Sequence, residues 1–128
     1  MHCGWRGSVA DILGAAVAQM CALGAHPADI RAAIGPGIGA CCFEVGPEVV
    51  AAAEALLHEP LGALVCPRAD GKALLDLKGV NARRLAQLGV PAGQIAVSDA
   101  CTMCRPDVFW SHRATNGCRG VQAAVITL

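Results

Sequence analysis

His2-Cys3-Gly4-Trp5-Arg6-Gly7, followed at once by Ser8-Val9-Ala10-Asp11 and an apolar run over residues 12–23, is the stretch from which the fold is read. Ser8 and Asp11 have the spacing of a capping box, a hydroxyl as N-cap and an acid three residues on. Val9, Ile12, Leu13, Ala16, Val17, Met20 and Leu23 recur at helical spacing. Gly24 supplies a stop. The pattern predicts a helix over residues 8–23. The His2 block is then the loop that feeds it, with backbone N–H groups aimed at an anion held at the helix start. An imidazole, a thiol, an indole and a guanidinium between two glycines are chemically dense, since histidine ligates metals or moves protons and arginine holds anions.

Working outward, residues 30–34 read as a short strand and 35–39 as a tight glycine-rich loop, Gly35-Pro36-Gly37-Ile38-Gly39. A second helix is expected over 47–58, with Pro47 in its first turn. Residues 61–66 read as a strand or the end of that helical layer, 68–72 as a turn centred on Asp70-Gly71, and 73–77 as a weakly alternating segment. A third helix is expected over 78–88, stopped by Gly89 and Pro91. Residues 95–98 read as a strand, 101–107 as a loop, 108–111 as extended, 114–120 as a polar loop and 121–128 as a buried closing strand. Helices and strands interleave, which predicts an α/β (α+β layered) fold with a mixed β-sheet and flanking helices, in a single domain over residues 1–128.

The chain has 128 residues, 55% of them hydrophobic and 16% charged, a globular composition. Ten basic and ten acidic residues cancel, so nucleic acid and membrane surfaces find no electrostatic partner here. With no Tyr, two Trp and two Phe, the core rests on aliphatic side chains, each worth roughly 1.5–3 kcal/mol when fully buried. The N-terminal region imitates a signal peptide, but Asp11 and Gln19 interrupt the apolar run, which is also too short to span a bilayer. Eight cysteines in a chain that is not loop-rich point to free thiols in a reducing cytoplasm rather than a disulfide framework.

Several groups are candidates for chemistry. Cys101-Thr102-Met103-Cys104 is a C-x-x-C, a spacing used for zinc and for thiol–disulfide exchange. No second C-x-x-C accompanies it, and the adjacent Cys41-Cys42 are poorly spaced for joint tetrahedral ligation, so two semi-buried loop thiols is the plain reading. Arg6, Arg113 and Arg119 lie in loops with Gly or Ser nearby, where an arginine fork suits phosphate or carboxylate and equally a structural ion pair. His112, in Ser111-His112-Arg113, is placed to face a bound ligand. His26 and His58 read as a solvated turn residue and a helix-terminal cation. Glu44 and Asp99 serve as acid–base candidates or as helix caps.

The ordered set His2-Cys3-Gly4-Trp5-Arg6-Gly7, Ala33-Ile34-Gly35-Pro36-Gly37-Ile38-Gly39-Ala40-Cys41-Cys42-Phe43-Glu44-Val45-Gly46, Asp76-Leu77 with Asn81, and Cys101-Thr102-Met103-Cys104 through Phe109-Trp110-Ser111-His112-Arg113 to Gly120 resembles the laccase-domain family. Its members are also called YfiH-type purine nucleoside phosphorylases, peptidoglycan editing factors and polyphenol oxidases. The resemblance covers essentially the whole chain and implies a YfiH-like α/β fold. It implies a cytoplasmic, zinc-dependent enzyme that cleaves adenosine, inosine, guanosine and methylthioadenosine with phosphate as co-substrate, and that deaminates adenosine. Copper is the competing metal.

In that family two His and one Cys hold the metal, and the second His opens the H-x-G-W-R-G block, so the resemblance maps a metal ligand onto His2. The other two ligands belong to segments upstream of the block. The chain therefore corresponds to the family's C-terminal half, and the expectation is that it is nearly inactive alone and self-associates through surface the other half would cover. Cys3 stands where a small residue is usual and His112 where an aromatic is usual. The resemblance leaves the catalytic residues open, with Arg6 and Cys101 as candidates, and makes Arg6, Arg113 and Arg119 candidates for substrate anions. The alternatives are hydrolytic editing of a peptidoglycan precursor and a non-catalytic remnant that binds a partner chain.

Overall fold

The computed structural model describes residues 1–125. The described residues form four α-helices and five strands, in the order α1 (Trp5–Val9), α2 (Ile12–Ala22), β1 (Ala32–Ile34), β2 (Glu44–Val45), α3 (Pro47–Leu57), β3 (Val65–Pro67), β4 (Ala73–Leu75), α4 (Leu77–Gln87) and β5 (Ile95–Val97). The α/β expectation is met, with parallel and antiparallel pairing divided between two small sheets. β1 and β5 pair in parallel, Ala32 opposite Ile95 and Ile34 opposite Val97. β4 lies between β2 and β3, antiparallel to both.

Where caps and apolar period agree, sequence and structure agree. Pro47 opens α3, which buries Val49, Ala53, Leu56 and Leu57, the i, i+4, i+7, i+8 stripe of an amphipathic helix. Asp76 caps α4 by accepting the Gly79 N–H at 3.0 Å, and α4 buries Leu77, Val80, Asn81 and Leu85. Leu77 and Val80 join a core with Phe43, Leu57 and Leu75 around the three-stranded sheet. Leu85 joins a second core with Leu13, Val17, Ile30 and Val90. Helix α4 is thus the wall shared by both.

The helix expected over 8–23 is two helices. The chain breaks at Asp11, whose φ of 57° and ψ of 42° are left-handed. Asp11 tolerates that conformation by local hydrogen bonding, and its carboxylate accepts the Gly14 N–H at 3.1 Å. Ser8 is not the N-cap. It is buried in α1, and its hydroxyl donates to the Cys3 carbonyl at 3.3 Å. The N-terminus of the longer helix is therefore already occupied by a carboxylate, which removes the anion site expected there.

Two further expectations are corrected. Residues 108 and 109, expected to be extended, lie in a turn and a bend, and Ser111 is buried, its hydroxyl taking the Ala114 N–H at 3.3 Å and its carbonyl the Thr115 hydroxyl at 2.9 Å. The closing strand expected over 121–128 is not a strand over 121–125, where Val121 and Val125 are 81% and 88% exposed; residues 126–128 lie outside the described part. No helix among the described residues is long and apolar enough to cross a membrane.

Candidate functional site

The parallel pair β1–β5 sets the geometry of the site. Both strands run the same way, so both following loops leave from one end. Small-molecule sites in α/β folds form at the carboxyl ends of parallel strands, because the loops there diverge. Here a cleft of about 390 Å³ opens at that end, lined by Gly39, Ala40 and Cys41 from the loop after β1, by Val97, Ser98, Asp99 and Cys101 from β5 and its loop, and by Asp76 and Lys78 from the start of α4. The size suits a small organic molecule. A second cleft of like volume lies over Pro47, Glu54, Val65 and Lys72, with no cysteine or histidine in its lining.

The two loops of the first cleft are joined by backbone. Gly37 and Cys101 form a parallel bridge, and the Thr102 N–H donates to the Gly37 carbonyl at 3.0 Å. Lys78 fixes the third wall, its ammonium donating to the carbonyls of Ser98 at 2.5 Å and Ala100 at 3.1 Å.

The thiols of Cys41, Cys42, Cys101 and Cys104 converge at this end, all four Sγ atoms within 4.8 Å of one another. Cys104 Sγ lies 3.4 Å from Cys42 Sγ and 3.6 Å from Cys41 Sγ. Cys101 is buried and accepts the Gly39 N–H at 3.2 Å. Burial alone would raise its pKa. The N–H groups of Gly39, Cys104 and Met103, with the Cys104 thiol, outweigh burial and bring it down to about 6. Hydrogen bonding to Cys104, with desolvation, pushes Cys42 up to about 12. Cys41 is raised too, first by Cys104. Cys101 is therefore the most acidic thiol of the four. The adjacency counted against Cys41-Cys42 does not hold in this backbone, because a turn carries both: the N–H groups of Cys42 and Phe43 both donate to the Gly39 carbonyl at 2.9 Å.

The other candidates are placed as follows. Of the residues singled out from sequence, Cys41, Cys101 and Asp99 line the cleft and His2, Arg6, Arg113 and Arg119 do not. His2 is exposed and its ring lies over Gly4, where an added Cβ would stand 2.8 Å from Nε2. Arg6 is exposed and stacks on Trp5, 4.5 Å from the ring centroid; it has no ion-pair partner among the described residues. Arg113 donates to the Glu44 carbonyl at 3.2 Å and sits 5.7 Å from the centroid of Phe43. Arg119 donates to the carbonyl of its neighbour Gly120 at 2.9 Å. The Glu44 carboxylate pairs with Lys72 at 2.8 Å and Arg68 at 3.4 Å, so it braces the antiparallel sheet. His112 lies in an exposed turn, its carbonyl taking the Gly117 N–H at 2.9 Å.

Lys78 carries no sequence signal beyond its place after the Asp76 cap, and its role emerges only from the fold. Asn81 stands within the motif, and the structure shows why it is unusual: it is buried, and its Oδ1 lacks a hydrogen-bond partner among the described residues. The eight cysteines stand as free thiols.

Comparison with known proteins follows the same lines. The chain is 43% identical over 112 residues to adenosine deaminase RL5 of an unknown prokaryotic organism, covering 88% of this chain and 43% of that protein. It is 38% identical over 127 residues to purine nucleoside phosphorylase YlmD of Geobacillus stearothermophilus, covering 98% of this chain and 46% of that protein. The crystal structure of YlmD from Geobacillus stearothermophilus superposes with a TM-score of 0.84 at 39% identity, over 91% of this chain and 43% of that one. The chain thus spans under half the length of these relatives. The model of the family described as multi-copper polyphenol oxidoreductase laccase matches residues 1–128, and the chain belongs to that family.

Proposed function

We propose that this chain is the C-terminal half of an enzyme that cleaves purine nucleosides with phosphate, adenosine deamination being its second activity. The observation that carries the reading is the alignment of nearly the whole chain with a protein named purine nucleoside phosphorylase, alongside one named adenosine deaminase. In phosphorolysis the C1′–N9 bond breaks with its electron pair leaving on the purine. A phosphate oxygen forms the new bond to C1′, and the purine takes up a proton. Such a site must hold phosphate beside the ribose and stabilise the positive charge that develops there.

Arg6 is the best-placed anion contact on this chain. Its guanidinium is exposed and free of any ion pair among the described residues, and Trp5 limits its motion. Arg113 and Arg119 rank below it, since each already donates to a backbone carbonyl. The zinc that the family implies needs a histidine–cysteine–histidine set. His2 belongs to no converging group of three or more metal-ligating side chains among the described residues. The residues around His2 do not by themselves make up that set, so His2 is assigned as one ligand of a set completed elsewhere, and no step is routed through it.

The test joins this chain to the portion of the Geobacillus relative that it does not cover. The joined protein is incubated with phosphate and adenosine, inosine, guanosine or methylthioadenosine. Release of free base with ribose 1-phosphate supports phosphorolysis, and inosine from adenosine without base release supports deamination. A folded, zinc-loaded joined protein that turns over none of the four overturns the reading.

A further inference from the structure

The four-thiol group is separate from the histidine the family resemblance assigns to zinc, and its geometry is that of a closed metal site. Zinc holds sulfur at about 2.3 Å, which places the corners of a tetrahedron about 3.8 Å apart. Here Cys104 lies 3.4 and 3.6 Å from two partners, and all four sulfurs are within 4.8 Å of one another. A disulfide needs about 2.05 Å and consumes thiols in pairs, whereas here Cys104 Sγ faces two partners at once.

We propose that Cys41, Cys42, Cys101 and Cys104 bind one Zn²⁺ in an all-sulfur tetrahedral site that staples the loop after β1 to the loop after β5. Four protein ligands leave no open position, the structural rather than the catalytic pattern. A tetrahedral all-thiolate set selects zinc or iron–sulfur chemistry, and sulfurs this close leave room for a single ion.

The surroundings are built for bound thiolates. The Gly39 N–H donates to Cys101 Sγ, the kind of outer partner that orients a ligand and tunes its basicity. Gly39 also has no room for a side chain: an added Cβ would lie 3.1 Å from Cys101 Cβ, 3.3 Å from Cys41 Sγ and 3.5 Å from Cys101 Sγ. Glycine lets the backbone approach the sulfurs closely. Because Gly39, Cys41 and Cys101 also line the cleft, the ion would fix two of its walls.

The test uses the whole chain, stripped of metal and kept reduced, and titrated with Co²⁺ and then Zn²⁺. The expected result is one ion per chain, the strong visible bands of tetrahedral cobalt with thiolate charge transfer, and their loss on zinc addition. X-ray absorption of the zinc form should show four sulfurs at about 2.3 Å. Cys104→Ser changes an exposed residue and should weaken zinc binding by more than about 100-fold, beyond the 10–100-fold typical of a lost outer partner. His2→Ala should leave the spectrum unchanged. Absence of binding, a spectrum that survives both Cys104→Ser and Cys42→Ser, or one that disappears in His2→Ala overturns the proposal. Spectrum and stoichiometry do not depend on nucleoside turnover, so this site and the proposed activity fail separately.

Discussion

Asp11 does three things at once, and removing them one at a time gives a measurable series. Its left-handed backbone ends α1, its carboxylate caps α2, and the same carboxylate takes the Arg84 guanidinium in a fork, Nε at 2.9 Å and Nη2 at 2.6 Å. The fork ties the start of α2 to the last turn of α4 across the second core. The cap is worth about 1 kcal/mol. The ion pair is partly screened, with the Asp11 side chain 35% exposed and that of Arg84 18%, so it is assigned about 1 kcal/mol, the upper end for exposed pairs. Asp11→Asn keeps the cap oxygen and tolerates the left-handed backbone, so it should cost about 1 kcal/mol. Asp11→Ala loses both contacts and strains the backbone, and should cost about 2–3 kcal/mol. The assay is urea unfolding at pH 7, read as a shift in midpoint at constant slope. The Arg84 hydrogen bond, opposed by burial and helped by the Gly14 N–H, holds the Asp11 carboxyl below its ordinary pKa. A depressed folded-state pKa gives stability that is fully present above the unfolded value, about 3.9, and is lost as pH falls through the folded value. The Asn deficit should therefore hold between pH 7 and 5 and shrink below about pH 4. An equal deficit at pH 3 and pH 7, or none at pH 7, would refute the assignment.

Arg6→Ala in the joined, active protein should raise the KM for phosphate by roughly 10-fold or more, the loss of one charge-assisted contact; an unchanged KM removes Arg6 from the site. Leu75→Ala, at a position with 0% exposure in the first core, should cost about 2–5 kcal/mol in urea unfolding, and a loss below about 1 kcal/mol would show that the strand tolerates repacking. Among the described residues the β1–β5 sheet is two strands wide and leaves Val97 46% exposed, although parallel strands are normally covered on both faces. Sedimentation of the isolated chain should accordingly show concentration-dependent self-association, and a monomer at all concentrations would count against that surface being sticky.

Legibility in the sequence followed locality. Helices α3 and α4 announce themselves through Pro47, Asp76 and an apolar stripe of period 3.6, all signals within a dozen residues. The break between α1 and α2 does not, because Ser8-Val9-Ala10-Asp11 satisfies the capping-box pattern equally well. What decides against it is Arg84, 73 residues away, which recruits the Asp11 carboxylate. An apolar run such as 121–125 reads as a buried strand only if something covers it, and burial is a property of neighbours rather than of the run. The exposed Val121 and Val125 show that no such neighbour stands among the described residues.

The thiol site shows the same boundary more sharply. C-x-x-C was visible as a motif, while Cys41-Cys42 looked wrong because adjacent residues are poorly spaced for joint tetrahedral ligation. That rule fails in a turn, and the turn at Gly39 is what brings both sulfurs round. Pairing the two motifs needed one more fact, the register of β1 and β5. Ile34 lies opposite Val97, and Cys41 follows Ile34 by the same seven residues by which Cys104 follows Val97. That spacing is not carried straight through the loops, because Gly37 bridges Cys101, one residue out of the Ile34–Val97 register; the cysteines meet because both loops leave one end of the parallel pair and are joined there by backbone. Equal spacing after two strands carries no meaning until the strands are known to be neighbours. The four thiols therefore became legible as one group only when the parallel pairing placed both loops at the same end of the strands.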